Sequence, residues 1–120
     1  MGEIKLGVVE AKFADIIWRN EPLSSRELVE KAKEELAWNK STTYTILRRL
    51  CERGIFRNEN GMVSSVISKK EFFAVQSEQF VEETFEGSLP AFIAAFTQRK
   101  KLTKNEIDEI QAMINLARKE

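Results

Sequence analysis

No histidine occurs in the chain, and cysteine occurs once, at Cys51. Without imidazole, serine- and cysteine-nucleophile triads, most zinc sites and most general-base schemes are out of reach. A single thiol cannot form an internal disulfide. No run approaches the ~20 apolar residues needed to span a bilayer. The stretch Met1 to Leu6 shows no signal-peptide pattern. The expectation is a cytoplasmic protein without membrane insertion. There is no glycine-rich phosphate loop, no acidic cluster at metal-ligand spacing, no internal repeat and no low-complexity segment. The sequence therefore points to no enzyme, no metal and no cofactor.

Net charge is also missing: 19 Lys and Arg balance 19 Asp and Glu. The distribution is uneven, however. Between residues 38 and 57, Lys40, Arg48, Arg49, Arg53 and Arg57 stand against Glu52 alone. Any attraction to phosphate must come from that segment, not from the whole surface.

What is present is an ordinary globular balance of 42% hydrophobic and 32% charged residues over 120 positions. One core of this size is marginal, so apolar segments left over after it are informative. From Gly7 to Asn20, Val9, Phe13, Ile16 and Ile17 recur at helical spacing, with Leu6 and Trp18 extending the stripe. Asn20-Glu21-Pro22 ends this first helix. Ser24 to Glu27 is a capping box opening a second helix, with Leu28, Ala32 and Leu36 on one face and an end near Trp38. Asn39 caps a third, whose buried side is Thr43, Ile46, Leu47 and Leu50. Gly54 closes it.

Ile55 to Arg57 and Met62 to Ile67 then flank a turn containing Asn60-Gly61, a strong hairpin signal. Three further helices follow. A capping box at Ser68 to Glu71 opens one that runs to about Phe85. Ser88 and Pro90 start a short apolar one, and a capping box at Thr103 to Glu106 starts the last. The predicted fold is mainly α with a small β-hairpin. A winged helix–turn–helix domain covers 1–70 and a helical dimerisation region covers 71–120.

The third helix is the candidate reader of double-stranded DNA. A major groove admits one α-helix, and residues near its N-terminus reach base edges. Ser41, Thr42, Tyr44 and Thr45 occupy the outward side near that end, and Arg48 and Arg49 follow one turn later. The plain alternative is a solvated helix face, or a winged-helix module that docks a protein instead of DNA. The wing tip, Glu59-Asn60-Gly61, has only Arg57 nearby, so little phosphate contact is expected there. Cys51 reads as a small buried filler, and Trp18 and Trp38 as core pieces. Phe80, Phe85, Phe92 and Phe96 come after the winged helix is complete and call for a symmetric homodimer. Folding back onto their own core is the alternative.

Leu6-Gly7, Glu10 and Ile17-Trp18 are followed by Ser25 with Glu27-Leu28. Next come Trp38, the run Ser41 to Leu50, and Gly54. In this order they resemble the penicillinase-repressor family. Phe85, Gly87-Ser88, Phe96, Lys101-Leu102-Thr103, Glu106-Ile107 and Ile110 resemble that family's dimerisation region. The resemblance covers nearly the whole chain. It implies a homodimeric transcriptional repressor of a β-lactam-resistance or related stress operon, on a palindromic operator with TACA/TGTA half-sites. It implies base contacts from Ser41, Thr42, Thr45 and Tyr44, and a backbone contact from Arg49. It also implies induction through cleavage by a membrane sensor metalloprotease at the bond matching Ala95-Phe96. Ala95 stands where β-lactam repressors usually carry Asn. No cysteine follows Cys51, so the metal-binding cysteine motif of the copper-responsive members is missing. The strand Met62 to Ile67 lacks the family's usual aromatic residue and proline.

Overall fold

The computed structural model describes residues 6–120. Positions 1–5, which hold most of the stretch read above for a signal peptide, lie outside the described residues. The chain divides into two compact units, one ending at Glu78 and one spanning Gln79–Glu120.

The first unit begins with α1, Val8–Asn20. The Glu10 carboxylate accepts from the Gly7 N–H at 3.1 Å and so satisfies an amide at the helix entrance. Phe13, Ala14, Ile16 and Ile17 form its buried side. Val9, expected on that stripe, is 51% exposed. It sits a full turn before Phe13, in a part of α1 where no residue is buried.

Strand β1, Leu23–Ser24, precedes α2, Ser25–Leu36. The predicted capping box is present, with Ser24 Oγ accepting from Glu27 N at 3.0 Å. The helix stops at Leu36, short of the expected Trp38, because Ala37 takes a left-handed conformation at φ 57°. Its N–H closes on the carbonyls of Ala32 and Lys33. The chain thereby turns, and Trp38 packs on Phe13 with ring centroids 5.0 Å apart.

Asn39 caps α3, Lys40–Glu52, accepting from Thr42 N at 2.8 Å. The hairpin follows as β2, Phe56–Glu59, and β3, Met62–Ser65, in register from Phe56↔Ser65 to Glu59↔Met62. Asn60 and Gly61 both have positive φ, 53° and 83°. That is the two-residue turn whose twist suits a hairpin. Among the described residues the sheet has three strands in the order β1-β3-β2, not two. A two-residue strand is too short to show alternation in sequence, which is why β1 was not foreseen.

Helix α4, Lys69–Phe85, starts in this unit. Phe72, although beyond residue 70, is 1% exposed and belongs to the same core, 5.4 Å from the Trp18 ring. Trp18 Nε1 donates to the Ile67 carbonyl at 3.1 Å, so both tryptophans serve the core. Asp15 accepts from Lys69 Nζ at 2.6 Å and from Arg19 Nε at 2.9 Å, and Arg19 reaches Glu35 at 2.7 Å. The Lys69 ammonium, then Arg19, holds the Asp15 carboxyl below its ordinary range. These pairs are open to solvent, so they orient α1, α2 and the start of α4 more than they stabilise them.

The second unit contains α5, Leu89–Arg99, and α6, Lys104–Arg118. Ser88 Oγ accepts from Ala91 N at 3.1 Å at the start of α5. Thr103 and Glu106 cap α6 reciprocally. The Thr103 amide and hydroxyl hold the Glu106 carboxyl below its usual range. Phe80, Phe85 and Phe92 meet edge to face at 5.5–6.0 Å, and Phe96 stands 6.1 Å from Phe92. No residue of this unit is buried.

Candidate nucleic-acid interface

Helix α3 separates its residues by chemistry. Thr43, Leu47 and Leu50 are buried, and Ile46, Tyr44 and Cys51 are half-buried against the same core. Thr43 is polar, but its hydroxyl donates to the Asn39 carbonyl at 3.0 Å, which makes its burial tolerable. With that side fixed inward, Ser41, Thr45, Arg48 and Arg49 are exposed on the other. Positions 41, 45 and 48 repeat at helical spacing and so share one face.

The predicted site residues do not all behave alike. The Thr45 hydroxyl donates to the Ser41 carbonyl at 2.9 Å. Its proton is committed, so toward a groove it offers acceptor lone pairs. Thr42 is half-buried, with its amide held by the Asn39 cap. Neither guanidinium, of Arg48 or Arg49, makes a hydrogen bond or ion pair among the described residues. Both remain available for phosphate or a guanine edge. Tyr44, expected on the outward side, is instead half-buried. Its hydroxyl donates to Ser25 Oγ at 3.2 Å. The aromatic ring is large enough to reach across to α2 and cover part of the core, and its hydroxyl is engaged there.

Between α3 and β2 lies an open depression of about 310 Å³ lined by Tyr44, Leu47, Arg48, Cys51 and Asn58. Burial, and then Glu52, pushes the Cys51 thiol up from its ordinary range. A thiol held protonated is a poor nucleophile, in keeping with its reading as filler. On the wing, Arg57 Nη1 lies 3.6 Å from Glu59 on the same strand, in a pair open to solvent. Arg48 and Arg49 on α3 have no such pair among the described residues.

Residues 6–116 match the family model described as the penicillinase repressor. The chain belongs to the penicillinase repressor family. This is a family of transcriptional repressors and not of enzymes. The chain is 21% identical over 115 residues to the methicillin resistance regulatory protein MecI of Staphylococcus aureus strain Mu50, covering 92% of this chain and 94% of that protein. It is 22% identical over 109 residues to the penicillinase repressor of Bacillus licheniformis, covering 88% and 85%. The penicillinase repressor of Staphylococcus aureus is 21% identical over 117 residues, covering 94% and 93%.

For a repressor, the remaining site residues matter as well. Ala95 and Phe96 are both exposed, and they sit inside α5. A bond in a hydrogen-bonded helical turn reaches a protease only after that turn opens. Among the described residues no helix is long and apolar enough to cross a membrane, and no group of His, Cys, Asp and Glu could hold a metal ion. The residue that sequence reasoning missed is Ser25. It counted as an inner position of the capping box and as part of the family resemblance, with no role at the site, and nothing local signals that a side chain on α3 would reach it.

Proposed function

We propose that this repressor acts as a homodimer that seats one α3 helix in each half of a palindromic operator. Ser41, Thr42 and Thr45 contact base edges, Arg48 contacts a base edge or phosphate, and Arg49 contacts phosphate. The observation that carries this is the outward face of α3, where hydroxyls and two unengaged guanidiniums stand on a helix anchored by a buried opposite side. Hydroxyls serve several bases, and arginines supply both bidentate readout and phosphate attraction. The dimer is assigned to the 71–120 region, whose apolar side chains stay exposed: Phe80, Leu89, Ile93, Phe96, Ile107 and Ile114. A two-fold axis through that region would set half-sites about one helical turn apart. On the same reading the controlled genes belong to a β-lactam-resistance or related stress operon. Induction is a cut at Ala95-Phe96 by a membrane sensor metalloprotease, after local opening of α5.

An electrophoretic shift titrated with salt tests the DNA reading, using duplexes that the protein recovers from a random-sequence pool. Thr45→Ala is expected to cost about 1–3 kcal/mol on recovered duplexes and to leave unselected DNA unchanged. Arg49→Ala is expected to weaken both and to lower the salt slope by about 1. Binding that ignores salt, or none at low salt, would make the winged helix a protein-docking module instead.

A further inference from the structure

Within the outward half of α3, Tyr44 is the side chain that the structure ties to another element. Its hydroxyl donates to Ser25 Oγ at 3.2 Å. Ser25 is the first residue of α2, where a backbone N–H has no partner inside its own helix. That N–H donates to the Gly61 carbonyl at 2.7 Å, in the turn of the wing. Gly61 also lies close to the serine hydroxyl. A Cβ built there would stand 3.9 Å from Ser25 Oγ. The adjoining residue, Ser24, pairs with Met62 across β1 and β3. One serine thus joins α2, the wing turn and α3, through its backbone on one side and its hydroxyl on the other.

From this node we infer that Ser25 is a positioning residue for operator recognition, and that the Tyr44 hydroxyl is a strut and not a base-reading donor. The inference rests on the DNA-binding reading above. A phenol has one proton to donate, and here that proton is engaged. What the bond provides is orientation. It fixes the tyrosine side of α3 against the start of α2 and, through it, against the hairpin turn. The faces carrying Ser41, Thr45 and Arg48 then meet a groove at one angle. Non-specific attraction from Arg48 and Arg49 needs no such angle, because phosphates repeat along the duplex. Base contacts do, since their geometry is directional.

The test uses the full chain and two probes, duplexes recovered by the wild type from a random-sequence pool and the unselected pool itself. Ser25→Ala removes the hydroxyl and keeps the backbone bond to Gly61. Tyr44→Phe removes the partner proton. Each is expected to lower the ratio of selected to unselected affinity about fivefold, the scale of one neutral hydrogen bond. The double variant should be no worse than either single one, because both remove the same link. Ser25→Thr should restore the ratio. A merely structural role would lower the thermal midpoint and weaken both probes alike, leaving the ratio unchanged, and would overturn the inference. Loss of the ratio in Tyr44→Phe with none in Ser25→Ala would also overturn it, since the phenol would then read a base directly. A wild-type chain that recovers no duplex at all would overturn the DNA reading, and this inference with it. Variants matching a wild type that does enrich sequences would overturn the inference alone.

Discussion

Among the described residues of the unit ending at Glu78, thirteen hydrophobic side chains from Phe13 to Phe72 are buried, whereas in Gln79–Glu120 none is. Apolar content does not explain the difference, because the second unit carries Phe80, Phe85, Phe92, Phe96, Ile107, Ile110 and Ile114. Local signals do not explain it either. Thr103 and Glu106 cap α6 as completely as Ser24 and Glu27 cap α2. What differs is the number of elements that converge. Three helices, a three-stranded sheet and the first turns of α4 close around Phe13 and Phe56. The second unit has the end of α4, with α5 and α6, and its phenylalanines touch one another while remaining open to water. A cap makes a helix begin, but only enclosure from several sides makes a core.

The largest effect that would break this contrast lies in the closed core. Phe13→Ala removes a fully buried ring that packs on Trp38. It should destabilise the first unit by about 3–5 kcal/mol, read as a lowered midpoint in chemical denaturation. A loss under about 1 kcal/mol would mean that the core tolerates collapse around the vacancy.

Next in size is Phe96→Asp, on a side chain 45% exposed. Little should change in the first unit. On the proposed dimer reading, self-association should weaken by about 2 kcal/mol or more, as for an interface hot spot, and sedimentation equilibrium is expected to show dimer for the wild type and monomer for the variant. A wild type that stays monomeric at every concentration would leave the exposed faces of the second unit to some other occupant.

The smallest expected change sharpens the comparison at two helix ends. Ala37 and Glu86 both occupy left-handed backbone, at φ 57° and 51°. A side chain there costs about 1–2 kcal/mol, partly offset by the greater chain entropy of glycine. Ala37→Gly should therefore stabilise the first unit by about 0.5–1 kcal/mol. Glu86→Gly should leave the denaturation midpoint of the first unit where it is.

Much of the architecture is legible in the sequence. Asn39, Ser24, Ser88 and Thr103 each cap the helix expected of them, and Asn60-Gly61 makes the expected turn. These are local effects, decided by neighbours three or four residues away. Errors arose where distant contacts decide. Periodicity put Val9 on the buried stripe, but it is 51% exposed, and among the described residues no residue before Phe13 in α1 is buried. Helix α2 ended early because a left-handed Ala37 lets Trp38 reach Phe13. Strand β1 exists only because β3 lies beside it. Within the candidate site, Ser41, Thr45, Arg48 and Arg49 were legible because one helical face followed from the buried one. Tyr44 was not, since its partner lies nineteen positions away on another helix.

By itself the sequence determined where helices begin, where the hairpin turns, and which segment concentrates positive charge. Each depends on bonds and spacings within a few residues. Only the tertiary structure decided which apolar side chains are enclosed, which cations are already paired, and that Ser25 joins the wing to α3. Those outcomes depend on elements far apart in the chain arriving at the same place, and no local pattern encodes that meeting.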